Sequence, residues 1–171
     1  PELERGAVVT DSTGRTSVPH LYAIGDVRAH TIQLAHVASA QARNVVATIC
    51  GEEPPVDESV VPSCVYTSPE VASVGLTADE AKAAGIAVRC TKQLTGANGR
   101  SLVEESEAGY VKLVCDEATG RVLGAQLVCP RATDLVAEVA LAIHLGATAA
   151  DLAATIHPHP TVSEMIMEAA R

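Results

Sequence analysis

Two prolines near the C-terminus restrict the backbone more than any other feature of this 171-residue chain. They alternate with two histidines in the segment 157–164, which reads HPHPTVSE. Proline fixes its own φ at about −65° and pushes the residue before it towards extended geometry. We therefore predict a stiff, non-helical loop that holds both imidazole rings in defined directions.

The residues after the second proline carry the signals of a helix start. Thr161 is a favourable N-cap residue, and Glu164 follows it three positions later, which is the spacing of a capping box. We predict a helix over residues 161–170 and expect the Glu164 carboxylate to reach back towards His159. A carboxylate beside an imidazole makes an oriented acid–base pair. The spacing leaves a plain helix cap behind a rigid loop as the alternative.

Residues 56–171 alternate short β-rich segments with helical patterns, which is typical of an α+β domain. Turn residues at 116–120 join the last two strands and favour a mostly antiparallel sheet with helices packed on it. One predicted helix is apolar on more than one face, so either the core or a second subunit must cover its second face. Strands are predicted at 63–67, 72–76, 86–94, 109–115 and 122–127, and helices at 77–84, 133–145 (the helix with two apolar faces) and 149–155.

Residues 1–55 are predicted to form a separate region. We expect a short strand at 21–24, a helix at 34–49 that Gly51 ends, and a linker at 52–55. Two short segments lie next to these elements. Each could have a purely structural role, the first as a tight turn and the second as the start of the helix. They are Gly25 and Asp26 after the strand, and Gln33, Leu34, Ala35 and His36 at the start of the helix.

An acidic composition narrows the classes of partner. The chain has a net charge of −9 and only 12 Lys and Arg residues, which argues against nucleic acid and anionic membranes. No run approaches the ~20 apolar residues of a membrane span, and we expect a cytoplasmic location. The five cysteines include no Cys-x-x-Cys pair, so we interpret them as buried free thiols and predict no metal site.

Several motifs together resemble the pyridine nucleotide-disulfide oxidoreductases, a family of flavoproteins. Their order and spacing agree with the family along nearly the whole chain, from about residue 16 to the end. The C-terminal octet is the first of them. The others are VPHLYAIGDV at 18–27, QLAH at 33–36, VPSCVYTSPEVASVG at 61–75, GYVK at 109–112 and RVLGA at 121–125.

The resemblance implies a role for each region. Residues 1–55 would be the C-terminal remnant of an FAD-binding domain, and residues 56–171 would be the dimerisation domain. In the family, the residues matching His159 and Glu164 form a catalytic acid–base pair that removes a proton from the substrate dithiol. The thiolate then attacks a disulfide that belongs to the partner subunit. The residues expected to contact the flavin are Gly25, Asp26, Gln33, Leu34, Ala35 and His36.

Within the family, the additional His157 favours the dihydrolipoamide dehydrogenases, which oxidise protein-bound dihydrolipoamide through a disulfide and FAD to reduce NAD. The implied partners are a second copy in a homodimer and the lipoyl-bearing acyltransferase of a 2-oxo acid dehydrogenase complex. The chain has neither a Gly-x-Gly-x-x-Gly fingerprint nor a reactive cysteine pair. We therefore expect the C-terminal part of a longer enzyme, which alone is inactive and binds neither FAD nor NAD. The alternatives are a related flavin disulfide reductase, such as a glutathione reductase-like enzyme, and a non-catalytic dimerisation module.

Overall fold

A computed structural model describes residues 1–171 as two compact units, Pro1–Ser59 and Val60–Arg171. The first unit contains one long helix and little other regular structure. The second contains an antiparallel sheet with helices packed on it, so the predicted α+β class is confirmed. None of the helices combines the length and the apolar character that crossing a lipid bilayer requires.

The long helix of the first unit is α1 (Ala35–Cys50), which confirms the helix predicted at 34–49. Gly51 ends it with a φ of 76°, a left-handed conformation that glycine adopts without steric cost. A small antiparallel hairpin lies at the start of the chain, made of β1 (Leu3–Glu4) and β2 (Ala7–Val8). Helix α1 is therefore the main scaffold of this unit.

The strand predicted at 21–24 is wrong. Tyr22 makes only an isolated bridge with Arg15, because no neighbouring strand pairs with the rest of the segment. Leu21 and Ile24 also remain 43% and 37% exposed, so the apolar run buries little surface. A short 3₁₀ turn over Gly25–Val27 follows directly.

The sheet of the second unit has five strands, and the five predicted strands are confirmed with ends that differ by a few residues. They are β3 (Ser63–Val65), β4 (Glu70–Gly75), β5 (Val88–Leu94), β6 (Tyr110–Asp116) and β7 (Val122–Cys129). Their order in the sheet is β3-β4-β7-β6-β5, and every neighbouring pair is antiparallel.

A glycine in the middle of this sheet permits an unusually close backbone contact. A Cβ atom added at Gly124 would lie 2.0 Å from the carbonyl oxygen of Leu76 and 2.7 Å from its nitrogen. Both neighbours are backbone atoms, which cannot rotate away as a side chain can. Only glycine therefore fits at position 124 without moving the chain that leaves β4.

Helices complete the second unit on the core side of the sheet. The three helices predicted at 77–84, 133–145 and 149–155 are confirmed, and the sequence did not predict an additional short helix at 99–103. The five helices are α2 (Ala78–Ala83), α3 (Gly99–Val103), α4 (Ala132–His144), α5 (Ala149–Ala154) and α6 (Glu164–Ala170).

One hydrophobic core joins the sheet to α4 and α6. Leu113 and Leu127 on the sheet, Val139 on α4, and Met165 and Ile166 on α6 are all fully buried. Burying an apolar side chain of this size stabilises the folded state by about 1.5–3 kcal/mol. Because both helices pack into the same core, the loop before α6 starts from a fixed position.

The last helix starts later than predicted. It begins at Glu164 rather than at Thr161. The Glu164 carboxylate does accept a hydrogen bond from the Thr161 backbone N–H at 2.8 Å. The Thr161 hydroxyl, however, donates to the carbonyl oxygen of Pro158 at 2.7 Å instead of capping the helix. Only half of the predicted capping box forms, since the loop uses the hydroxyl.

The cysteines fall into two groups. Cys115 and Cys129 are buried in the sheet, as predicted, and Cys64 is partly buried. The prediction of burial is wrong for Cys50 and Cys90, which are exposed. Cys50 is the last residue of α1, and Cys90 lies on the edge strand β5, where one side has no neighbouring strand.

Candidate functional site

The histidine-proline segment lies between α5 and α6 as irregular backbone, which confirms the predicted non-helical loop. Two hydrogen bonds hold the part of the loop that follows His159. One joins the Thr161 hydroxyl to the carbonyl oxygen of Pro158. The other runs from Nδ2 of Asn98, a residue with only 5% exposure, to the carbonyl oxygen of Thr161 at 2.9 Å.

The loop presents His159 beside Glu164. Nδ1 of His159 lies 2.9 Å from Oε1 of Glu164, while Oε2 accepts the Thr161 backbone N–H at 2.8 Å. The hydrogen bond from the Thr161 backbone and that from the His159 ring hold the pKa of the Glu164 carboxyl below its usual value. Glu164 is therefore a carboxylate near neutral pH, and the contact predicted from the sequence is present.

This geometry selects one tautomer of His159. A carboxylate only accepts hydrogen bonds, so Nδ1 must carry the proton that faces Glu164. In the neutral ring, Nε2 is then the unprotonated nitrogen and makes no hydrogen bond of its own. The His159 side chain is 77% exposed, whereas that of Glu164 is 16% exposed. The arrangement can take up a proton at Nε2 and stabilise the resulting positive charge through Glu164.

The second histidine of the loop has different surroundings. Nε2 of His157 lies 2.8 Å from Oε1 of Glu138 on α4, and Nδ1 lies 3.0 Å from the carbonyl oxygen of Thr155. The His157 side chain is only 5% exposed. Both ring nitrogens are engaged, so His157 is not available as a base.

Sequence reasoning did not find Glu138 or Asn98 as partners of the loop. Glu138 lies 19 residues before His157, and Asn98 lies 63 residues before Thr161, in separate helical elements. No spacing rule connects residues that only the tertiary packing brings together. The one local signal was a carboxylate within the apolar middle of helix α4.

The residues predicted to contact a flavin lie together in the first unit. Asp26, Gln33, Ala35 and His36 are exposed, and Nε2 of Gln33 donates to the backbone oxygen of Asp26 at 3.4 Å. Leu34 is the N-cap residue of α1 and gives no side-chain cap, so this 16-residue helix begins without a capping side chain. Exposed backbone amides at a helix start attract negative charge or an acceptor oxygen.

A buried glutamine, which the sequence analysis missed, fastens this region. Oε1 of Gln41, on α1, accepts the backbone N–H of Gly25 at 2.7 Å, and its Nε2 donates to Thr31 and Glu58. Gly25 has a φ of 65°, and an added Cβ would lie 2.9 Å from the side chain of Ala38. The turn therefore sits tightly against α1. A polar residue on the buried stripe of α1 was the available sequence signal.

An apolar surface lies next to the loop in the second unit. Leu141 and Leu145 of α4 are 58% and 70% exposed, and Ile156, directly before His157, is 95% exposed. These three residues line one groove, together with Glu138 and Asp151. The opposite face of α4 is buried in the core, so the second apolar face predicted for this helix is uncovered within the chain.

No group of three or more His, Cys, Asp or Glu residues is arranged to hold a metal ion.

Two family profiles match the chain. The profile described as "Pyridine nucleotide-disulphide oxidoreductase, dimerisation domain" matches residues 61–170. The profile described as "Pyridine nucleotide-disulphide oxidoreductase" matches residues 2–42. The two matches follow each other in the order expected from the sequence motifs.

Curated relatives carry the name dihydrolipoyl dehydrogenase. The protein of Haloferax volcanii is 44% identical over 167 residues, which are 98% of this chain and 35% of the relative. One from Bacillus subtilis is 46% identical over 168 residues, again 98% of this chain and 35% of the relative. The chain thus spans about 35% of the length of these relatives.

Solved structures show the same backbone arrangement. The crystal structure of LpdA from Mycobacterium tuberculosis superposes with a TM-score of 0.91 at 33% identity, covering 99% of this chain and 37% of that protein. The HOCl-induced flavoprotein disulfide reductase RclA from Escherichia coli superposes with a TM-score of 0.91 at 28% identity, covering 98% of this chain and 39% of that protein.

Proposed function

Because the chain belongs to the pyridine nucleotide-disulphide oxidoreductases, we propose that it is the C-terminal part of a dihydrolipoyl dehydrogenase. In this proposal residues 1–55 complete an FAD-binding domain, and residues 56–171 form the dimerisation domain. The observation that carries it is the pair His159 and Glu164, in which one ring nitrogen is held by a carboxylate and the other is exposed. The names of the curated relatives favour dihydrolipoamide as the substrate over glutathione.

In this function, His159 accepts a proton at Nε2 from one thiol of dihydrolipoamide. The thiolate that forms attacks a disulfide supplied by the partner subunit, and one sulfur of that disulfide leaves as a thiolate. Glu164 keeps Nδ1 protonated and stabilises the charge that the ring gains. The anchored loop keeps the ring in one orientation during proton transfer.

The predicted flavin contacts fit part of an FAD site. The exposed Asp26 carboxylate suits the hydroxyl groups of the ribityl chain, and the uncapped start of α1 suits an acceptor edge of the flavin. Gln33, Leu34, Ala35 and His36 form this helix start, and Gly25 gives the close turn beside it. FAD, if held by these residues, would supply a two-electron carrier between the reduced disulfide and NAD.

The uncovered apolar surface on α4 and the match to a dimerisation domain support a homodimer. A monomer normally exposes apolar side chains singly, scattered over its surface. Here three exposed apolar residues line one groove: Leu141, Leu145 and Ile156. A second copy of the chain would cover them. The net charge of −9 on this chain suits a basic binding domain of a lipoyl-bearing acyltransferase, and we place both proteins in the cytoplasm.

His159→Gln in the full-length enzyme tests the function. We expect the rate of dihydrolipoamide oxidation to fall by about a hundredfold or more, because the base is removed. FAD should remain bound, because the substitution leaves the fold intact. His30→Asn is the matched control: His30 is exposed, pairs only with Glu4, and has a φ of 57° that asparagine tolerates. Dihydrolipoamide turnover that His159→Gln leaves unchanged would contradict the assignment. If the wild-type enzyme turned over glutathione disulfide faster than dihydrolipoamide, a glutathione reductase-like function would be favoured instead.

The 171-residue chain alone is expected to be colourless and inactive, since it holds only part of the flavin contacts. Sedimentation of this chain would show whether the second unit forms a dimer by itself. A dimer would support an interface built by this region itself. A monomer would mean that the dimer requires further domains.

A further inference from the structure

We infer that His157 and Glu138 form a positioning pair, which fixes the histidine-proline loop onto α4 and so determines where the His159 ring lies. The inference rests on the proposed function, because it assigns the pair to the same acid–base site. No hydrogen bond joins His157 or Glu138 to His159 or Glu164. We assign the main effect of the pair on catalysis to the position of the loop backbone.

The hydrogen bonds of His157 engage both of its ring nitrogens. Nε2 lies 2.8 Å from the Glu138 carboxylate, and Nδ1 lies 3.0 Å from the carbonyl oxygen of Thr155. A carboxylate only accepts hydrogen bonds, so Nε2 donates its proton to Glu138. Glu138 therefore holds the ring in one orientation.

Other charged groups near the loop are already engaged. Asp151 of α5 lines the same groove, but its carboxylate accepts the backbone N–H and the hydroxyl of Thr148 at 2.8 and 2.7 Å. Glu164 of α6 is used by His159 and Thr161. Glu138 is therefore the carboxylate that is free to accept the hydrogen bond of His157.

Burial makes this pair an effective anchor. The His157 side chain is 5% exposed and that of Glu138 is 32% exposed, so water competes weakly for the contact. Glu138 stands on α4 next to Val139, which is fully buried against the sheet. The Thr155 carbonyl, at the end of α5, would otherwise lack a helical partner. One ring thus joins α4 and α5 to the loop.

The anchor lies two residues before His159, and the Asn98 and Thr161 bonds lie two residues after it. Held on both sides, the exposed His159 side chain has a defined backbone position although nothing covers it. Proton transfer depends steeply on the position of the base, and a displacement of about 1 Å can cost about a hundredfold in rate. Loosening the anchor should therefore slow the step that His159 performs.

Substitutions of Glu138 in the full-length enzyme test the inference. Glu138→Ala removes the acceptor, and we expect the kcat for dihydrolipoamide oxidation to fall by about tenfold or more. Glu138→Gln keeps an acceptor oxygen and should recover part of that loss. Reduction of an artificial acceptor by NADH does not use His159, so it should stay within about twofold in both variants. A merely structural role would lower both reactions together.

Glu168→Ala is the matched control, because it removes an exposed carboxylate that pairs with Arg171 on α6. It should leave both reactions unchanged. The inference is overturned if Glu138→Ala keeps the wild-type kcat for the dithiol, or if it reduces the two reactions equally.

A second measurement does not depend on activity or on the variants folding. In the wild-type chain labelled with ¹⁵N-histidine, Nε2 of His157 should carry a proton whose NMR signal exchanges slowly with water, because it is buried and bonded to Glu138. A His157 ring whose Nε2 carries no proton, or one that exchanges as fast as in a free histidine, would overturn the inference even if the enzyme oxidises dihydrolipoamide. If the NMR result holds but the full-length enzyme does not oxidise the dithiol, the proposed function fails and the hydrogen-bonded anchor remains.

Discussion

Removal of the Glu70 side chain should weaken the start of α4. The N-cap residue of this helix, Arg131, has a φ of 60° and provides no side-chain hydrogen bond. Glu70 of β4 supplies the missing cap. Its Oε2 accepts hydrogen bonds from the backbone N–H of Thr133 at 2.9 Å and from the Thr133 hydroxyl at 2.7 Å. A residue far away in the sequence thus caps the helix that carries Glu138.

The magnitude follows from the two effects that the carboxylate combines. Loss of a capping acceptor costs about 0.5–2 kcal/mol. Loss of a negative charge at a helix start costs about 0.3–1 kcal/mol more. The Thr133 hydroxyl can turn to water, so its bond adds little. With a urea m-value of about 2 kcal/mol/M, a loss of about 2 kcal/mol lowers the unfolding midpoint by about 1 M.

The assay is urea unfolding of the 171-residue chain followed by far-ultraviolet circular dichroism. Glu70→Gln keeps the acceptor oxygen and loses only the charge, so its midpoint should fall by about 0.2–0.5 M. The control is again Glu168→Ala, whose exposed ion pair contributes at most about 0.5 kcal/mol. A Glu70→Ala midpoint within about 0.2 M of the wild type would refute the capping argument.

Three further predictions concern stability and reactivity. Gly124→Ala should destabilise the sheet by about 3 kcal/mol or more, because the new Cβ meets the Leu76 backbone, and a thermal melt would measure the loss. Since hydrogen bonding from Thr161 and the adjacent imidazole holds the pKa of Glu164 below its usual value, the stability due to this carboxylate is present above pH 4.5. It is lost as the pH falls through the folded-state pKa, so Glu164→Gln should flatten the decline seen in urea melts below pH 4.5. Burial raises the pKa of Cys129 to about 11, so a disulfide reagent at about pH 8 should leave this thiol unmodified in the folded chain.

Each of these predictions has an internal comparison. Gly99→Ala, at a position with nothing within 4 Å of an added Cβ, should leave the melting temperature unchanged or raise it slightly. A Glu164→Gln variant whose stability declines in acid as steeply as the wild type would contradict the linkage argument. Cys50 and Cys90 are exposed and should react first, and mass spectrometry of the labelled chain would show any modification of Cys129.

Local signals predicted most of the fold. The capping box of α2, formed by Thr77 and Glu80, has both of its hydrogen bonds, and Gly51 ends α1 as expected. The false strand at 21–24 shows the limit of such signals: the run is apolar, but a strand needs a neighbour to pair with. Helix α3 was missed because Asn98 caps it through Ser101, without an acidic residue at the third position.

The candidate site divides in the same way. The contact between His159 and Glu164 spans five residues, and the rigid loop and helix start between them made it predictable. The contact between His157 and Glu138 spans 19 residues and depends on how α4 packs against the sheet. Whether a histidine is a base or an anchor is decided by the acceptors around its ring, which the sequence does not display.

The double anchoring of the loop also limits how the segment can be used in protein engineering. The octet 157–164 looks like a portable unit, since it carries the base, its carboxylate and the prolines in one stretch. Grafted alone into another protein, it would leave behind Glu138 and Asn98, and with them the fixed points on either side of His159. A transplant would have to carry α4 and the start of α3 as well. The smallest transferable device is a three-dimensional assembly of separate chain segments.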